Sequence, residues 1–145
     1  MPQVDLVEET FLAADLAMVC ARLATVAFAR QIWPDLRLRV AEDRGVEGLR
    51  FMVHGERVGS AEVWLQEWAD GVIAHIYLRI DRADRKQAER KQAERKQWPR
   101  FYAERRSARD AARELARRQR EIKSALWAIK DELEGSRRPG EAARR

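Results

Sequence analysis

Apolar and polar residues alternate between Leu36 and Ile80, and this period of two predicts extended strands. Turn residues interrupt the alternation at Arg44-Gly45, at His54 to Arg57 and at Asp70-Gly71. Glycine and aspartate favour the tight connections that join antiparallel strands. The pattern therefore predicts a meander of four antiparallel strands.

Alternation gives the predicted sheet two different faces, because neighbouring strands place paired residues on the same side. Face A is apolar, and face B combines arginine, histidine and aromatic residues. Face A is predicted to hold Ala61, Val63, Leu65, Ala74, Ile76, Leu78 and Ile80. Face B is predicted to hold Arg37, Arg39, Arg50, Met52, His54, Glu62, Trp64, Gln66, Trp68, His75, Tyr77 and Arg79.

The turns also predict which residues lie opposite one another. A two-residue loop at Asp70-Gly71 predicts that Trp64 pairs with Tyr77. The first turn, taken in the same way, predicts that Leu38 pairs with Phe51.

The middle turn leaves two registers open. A tight loop would pair Val53 with Val58, whereas a longer loop or a bulge at Gly59 would align Phe51 with Ala61. We favour the second register, because a slip of one residue would mix the two faces.

The stretch before the sheet predicts one apolar helix from Asp5 to Ile32. Its first residue and Glu8 form a capping pair, and Pro34 ends it. Polar residues make only a narrow stripe at Glu8, Asp15 and Arg22. A helix this apolar is expected to lie on face A, with a second subunit covering its remaining apolar side.

A membrane span is the competing interpretation of the same stretch. Phe11 to Ala29 is 19 residues long, close to the minimum for a span. Asp15 and Arg22 interrupt it, and each charge near a helix centre is unfavourable by about 2.5–3.5 kcal/mol. We therefore expect no membrane insertion.

The last part of the chain predicts a long basic helix in two segments. Asp81 can cap a helix that contains a five-residue repeat, Glu-Arg-Lys-Gln-Ala, whose period favours no helix face. This repeat is interpreted as a solvated spacer, or alternatively as a rod that contacts phosphates. After Pro99, apolar residues recur in coiled-coil-like heptads at Phe101, Ala108, Leu115, Ile122 and Ile129.

These patterns predict an α+β fold in which the N-terminal helix packs on the four-stranded antiparallel β-meander and the long basic helix follows. The predicted units are a globular domain at 1–80, a charged helical spacer at 81–98, a heptad helix at 99–135 and a disordered basic tail at 136–145. The apolar surface of the two helical parts predicts at least a homodimer, with 99–135 as a possible contact for another protein.

Charge is distributed unevenly between the halves of the chain. Residues 1–80 carry 8 Lys and Arg against 12 Asp and Glu, a net charge of −4, whereas residues 81–145 carry 21 against 12, a net charge of +9. Arginine predominates in the basic half, and its planar guanidinium group binds phosphate in a bidentate manner. This asymmetry favours a polyanionic partner for the C-terminal half.

No recognised catalytic or metal-binding motif occurs in the sequence. Cys20 is the only cysteine and lacks the partners of a zinc site, which also fits a reducing cytoplasmic location. His54 and His75 have no sequence-near acidic or cysteine pattern that would make them ligands. We therefore expect a non-catalytic protein with no cofactor and no metal.

Two functions follow from these expectations. The first is DNA or RNA binding through the basic arm and face B, where rings stack on bases and guanidinium groups hold phosphates. The second is a structural or adaptor role, in which a helix or second subunit covers face B. The predicted nucleic-acid contacts are Arg37, Arg39, Arg50, Trp64, Tyr77, Arg79, Arg85, Lys86, Arg90, Lys91, Arg95 and Lys96.

Overall fold

A five-stranded antiparallel sheet forms the centre of the fold, and helices pack on its face A. The computed structural model describes residues 2–83 and 100–135. The strands in this part of the chain are β1 (Val4–Leu12), β2 (Arg37–Asp43), β3 (Gly48–His54), β4 (Arg57–Trp68) and β5 (Gly71–Arg82). The helices are α1 (Leu16–Leu23), α2 (Val26–Ile32) and α3 (Arg100–Glu134), and a short 3-10 turn spans Gly45–Glu47.

The prediction of one helix from Asp5 to Ile32 is wrong, because this stretch forms a strand and two short helices. β1 pairs antiparallel with β5, so Asp5 lies opposite Arg79 and does not cap a helix. Val4 and Leu6 are buried on face A, while Val7 points to the other side and is exposed. In Val4–Leu12, the first part of this stretch, buried or partly buried residues alternate with exposed ones, as in a strand.

Two polar residues mark the beginnings of the helices that follow β1. Asp15 is the N-cap of α1, and Thr25 is the N-cap of α2, where its hydroxyl accepts a hydrogen bond from the Phe28 N–H at 3.0 Å. Thr25 thereby satisfies a backbone donor that the first turn of α2 leaves free, whereas the Asp15 side chain makes no capping hydrogen bond. The two N-cap residues divide the stretch into two short helices.

The sheet order is β1-β5-β4-β3-β2, so the N-terminal strand lies beside the last strand and the sheet has five strands instead of four. All seven residues predicted for face A are buried. The last hairpin is shifted by two residues from its predicted register, so that Trp64 lies opposite His75 and Glu62 lies opposite Tyr77. A shift of two preserves the faces because side chains alternate with a period of two.

The cause of this shift is the position of the turn. The two residues between the strands are Ala69 and Asp70, and Ala69 adopts a positive φ of 51°. The prediction assigned that conformation to Gly71, which is instead the first residue of β5.

The predicted register was wrong at the β2–β3 connection and correct at the β3–β4 connection. Leu38 lies opposite Val53, two residues from its predicted partner Phe51, and the register shifts again at a bulge between Val40 and Glu42. The favoured register of the middle turn is confirmed, because Phe51 pairs with Ala61.

Gly59 allows two backbones to approach in this middle part of the sheet. Its φ is 152°, and a Cβ atom there would lie 1.9 Å from the carbonyl oxygen of Arg79. Only glycine fits this approach without a backbone shift.

The core lies between face A and the helices. Four α3 residues at heptad-type spacing are buried in the same cluster as the face A residues: Ile122, Leu126, Ile129 and Leu133. The N-terminal apolar residues that suggested a second subunit are also buried within one chain, among them Val19, Leu23 and Phe28. Cys20 is partly buried, with its thiol directed at the carbonyl of Gly45.

Within residues 2–83 and 100–135, no helix combines the length and apolarity needed to cross a bilayer.

An ionic network attaches α3 to the rest of the fold, and we call it the Arg118 network. Its centre is Arg118, whose side chain is only 1% exposed. The two Nη atoms of Arg118 donate to the Asp35 carboxylate at 3.2 and 2.6 Å, and its Nε donates to Glu114 at 3.0 Å. Glu114 also accepts from Arg57 at the start of β4. One buried guanidinium thus connects α3 to the α2–β2 loop.

The two carboxylates of this network are stabilised in their charged form. Burial alone would raise the pKa of Asp35, but the hydrogen bonds and charge of Arg118 outweigh it and lower that pKa. Burial also opposes ionisation of Glu114, yet the hydrogen bonds from Arg57 and Arg118 lower its pKa. A carboxyl group with a lowered folded-state pKa stabilises the fold above its unfolded pKa and loses that contribution as the pH falls through the folded value.

Replacing Arg118 with methionine is expected to destabilise the protein by about 3 kcal/mol, because it leaves Asp35 and Glu114 without their buried partner. Arg117→Met is the matched control on the same helix. Arg117 is exposed, pairs with Glu121 at i,i+4 and adds only the smallest of the charge interactions that act on Asp35, so its loss should change stability by less than about 0.5 kcal/mol. Urea denaturation followed by circular dichroism measures both values. Equal effects of the two substitutions would contradict a structural role for the network.

Candidate functional site

Face B has three stacked rings at its centre, on the neighbouring strands β4 and β5. The ring centroids of Trp64 and His75 are 4.4 Å apart with an interplanar angle of 24°. Those of His75 and Tyr77 are 6.1 Å apart, and these two rings are nearly parallel, at 6°. The histidine is therefore stacked with both aromatic residues, and each of these is partly exposed.

His75 is held from both sides of its imidazole ring. Its Nδ1 lies 3.1 Å from Oε1 of Glu9, and its Nε2 lies 3.1 Å from Oε1 of Gln66. The residue is only 6% exposed. Because both ring nitrogens are engaged and the ring is covered, the imidazole acts here as a spacer that fixes Trp64 and Tyr77.

Tyr77 remains a protonated phenol at neutral pH. Burial raises its pKa above the ordinary value, and the negative charges of Glu9 and Glu62 raise it further. The phenol can therefore donate a hydrogen bond from the face while its ring supplies apolar contact.

Three exposed arginines lie on the same face: Arg50 on β3, which neighbours β4, and Arg37 and Arg39 on the edge strand β2. Arg37, Arg39 and Arg50 form no ion pair with any residue of the described stretches. Arg50 has Glu42 and Glu62 as its cross-strand neighbours, yet both of these carboxylates contact Arg44 instead.

This leaves a basic strip on face B, consisting of Arg37, Arg39 and Arg50. Its three guanidinium groups form no ion pair in the described part of the chain, although the cluster of Glu42, Arg44 and Glu62 beside Arg50 carries a net negative charge. Such a strip attracts anions, most strongly at low ionic strength.

The predicted site residues thus fall into three groups. Trp64 and Tyr77 are brought together around His75, as neighbours in one stack. The basic strip lies on the same face, on β2 and β3, while Arg79 lies on β5 with its Nη2 atom 3.5 Å from the Asp5 carboxylate. The remaining candidates lie outside the described residues: Arg85, Lys86, Arg90, Lys91, Arg95 and Lys96.

Two residues that contribute to face B, Glu9 and Arg44, were not assigned to it from the sequence. Glu9 was assigned to a helix, although Val4 and Leu6 alternate with polar or exposed positions in the manner of a strand. That alternation was the available signal for β1. Arg44 was assigned to a turn, and its ion pairs with Glu42 and Glu62 had no signal in the sequence.

In the described stretches, no group of three or more histidine, cysteine, aspartate or glutamate residues is arranged to hold a metal ion. The chain matches no model of a known protein family, and no curated protein matches it.

The raised pKa of Tyr77 gives a direct probe of the charges on face B. Glu9→Gln should lower the pH at which Tyr77 ionises, because it removes a nearby negative charge. Phenolate absorbance measures this, in a Tyr102→Phe background that leaves Tyr77 as the only tyrosine.

Glu67→Gln is the control for this titration, since Glu67 lies on β4 but does not contribute to the Tyr77 shift. An unchanged Tyr77 titration in the Glu9 variant would contradict the assigned geometry.

Proposed function

We propose that the protein binds single-stranded nucleic acid through face B. One observation carries this proposal: three exposed arginines that form no ion pair within the described stretches lie on β2 and β3, on the same sheet face as half-buried aromatic rings, and no described helix packs against this face. Guanidinium groups bind phosphates, and aromatic rings stack on bases of any sequence.

The basic strip supplies the electrostatic part of the proposed contact. Arg37 and Arg39 are two residues apart on the same face, which separates them by about 7 Å along the strand. Arg50 lies on the neighbouring strand, in the bulged part of the pairing. The strip can therefore follow a phosphodiester backbone, with little dependence on base sequence.

The rings supply the second part of the contact. Stacking within the Trp64–His75–Tyr77 cluster occupies both sides of the imidazole, so bases would stack on the outer sides of Trp64 and Tyr77. Trp68, at the end of β4, is 60% exposed and adds a third ring. Each base stacked on an aromatic side chain contributes about 1–3 kcal/mol.

The charged repeat is proposed to extend the contact by electrostatic attraction. Residues 82–97 contain seven basic and three acidic side chains. Arg79 contributes less to the proposed contact, because it lies close to Asp5.

Changing Arg37, Arg39 and Arg50 together to glutamate should weaken strand binding more than about tenfold at low salt. The probes are fluorescein-labelled oligo(dT), oligo(U) and a duplex, and fluorescence anisotropy measures their affinities at about 50 mM and about 200 mM salt. Three phosphate contacts contribute a factor of about 20 to the fall in wild-type single-strand affinity between these concentrations, and the variant should lose this contribution.

The matched control changes Arg30, Arg120 and Lys123 to glutamate. These residues are also exposed and alter the net charge equally, but they lie on the helices. The control should keep its affinity within about twofold at the higher salt concentration, where long-range effects are screened. Equal losses in both triple variants would show that general charge governs binding, and would contradict a site on face B.

A second candidate function is assembly through α3, as a homodimer or with another protein. The first half of the heptad series is the supporting observation, since Ala108 and Ala112 are exposed and Leu115 is only partly buried. Trp127, farther along the same helix, is 57% exposed. Large exposed apolar residues commonly mark contacts with partners.

Light scattering distinguishes this candidate from strand binding. Assembly through α3 predicts a dimer or larger mass that persists at high salt and becomes monomeric on Trp127→Ser. Lys123→Ser, one turn away and also exposed, is the control and should leave the mass unchanged. A monomeric wild-type mass at micromolar concentration would exclude self-assembly.

A further inference from the structure

A cleft lies at the end of the sheet next to the β3–β4 turn, and basic side chains dominate it. It encloses about 700 Å³. Its walls come from the loop before β2, the start of β2, the β3–β4 turn and the end of β5. The charged and titratable side chains of this lining are Arg37, His54, Arg57, Arg82, Asp35 and Glu56.

Sheet register places like charges opposite one another around this cleft. Arg57 lies directly opposite Arg82 in the β4–β5 pair. Like charges at such positions destabilise a sheet. A bound anion would remove this repulsion.

The protein's own carboxylates compensate only part of this charge. Asp35 is bound in a bidentate manner by Arg118, and Arg57 contacts Glu114. Arg37 and Arg82 have no ion-pair partner in the described stretches of the chain. Two guanidinium groups of the cleft are therefore available to a ligand.

The Arg37 side chain lies close to the β3–β4 turn, and Arg57 is held in position before any ligand arrives. A Cβ atom on Gly55 would lie 3.2 Å from Cδ of Arg37, so this arginine side chain lies over the turn. Arg57 is held by Glu114 and by Oε1 of Gln3, which accepts from its Nη1 at 2.9 Å. Positioned donors lose less conformational freedom on binding.

We propose that this cleft binds a phosphate monoester, through Arg37 and Arg82 with Arg57 as a fixed third cation. Phosphate offers several acceptor oxygens to guanidinium groups that approach from different strands, and such charge-assisted contacts are strong. The monoester is either a free phosphorylated small molecule or the terminal phosphate of a strand. The second source rests on the proposed function, since Arg37 belongs both to the basic strip and to the cleft.

Isothermal titration of the full chain with inorganic phosphate tests the site itself. Arg82→Gln and Arg37→Gln should each weaken phosphate binding by about tenfold or more, the loss expected for a hydrogen bond to a charged group. Arg30→Gln is the matched control, because Arg30 is an exposed arginine on α2 that lies outside both the cleft and the basic strip. Its phosphate affinity should stay within about twofold, and Arg82→Lys should retain part of the binding.

Oligo(dT) with and without a 5′-phosphate then identifies the source of the ligand. Tighter binding of the phosphorylated strand, lost in Arg82→Gln, indicates a strand end. Equal binding of the two strands, together with phosphate binding, indicates a free phosphate monoester and retains the site.

The two proposals fail in distinguishable ways. If wild-type protein does not bind phosphate, or if neither cleft variant weakens the binding, the phosphate site is overturned, whatever the strands do. If phosphate binds in the cleft but no strand binds, the proposed function is overturned and the site stands.

Discussion

The antiparallel pairing of β1 with β5 is the constraint on which the rest of the structure depends. This pairing brings the N-terminal strand beside the last strand of the meander and completes the apolar face on which α1, α2 and α3 pack. It also places Glu9 against His75, which fixes the rings on the opposite face. One backbone ladder thus organises both the core and the candidate binding surface.

Side-chain alternation predicted the meander, both of its faces and the middle register correctly. The sequence was less informative where two periodicities overlap, since Val4 to Leu12 has enough apolar residues to fit either a helix or a strand. The register of the last hairpin was missed because the turn lies at Ala69-Asp70, where Ala69 takes a positive φ, and not at Asp70-Gly71. Which residues form the turn depends on how well the two whole strands pair, and the turn propensity of the local residues does not determine it.

The candidate site was predictable in composition but not in its contacts. The ring and arginine positions follow from alternation, whereas the pairing of Arg44 with Glu42 and Glu62 depends on a bulge that no local signal indicates. Arg118 in the sequence resembles any other arginine of a basic helix, yet it is buried between carboxylates. Positive charge on this protein therefore has two separate roles: one arginine stabilises the fold, while those of β2 and β3 remain accessible.

The order of the elements along the chain has a consequence for synthesis on the ribosome. The sheet cannot close until β5 has been made, and face A then lacks the cover of α3 until Ile122 to Leu133 follow about 50 residues later. At typical elongation rates that interval lasts about 3–10 s. During it, a nascent sheet whose apolar side is covered only by α1 and α2 is exposed to aggregation.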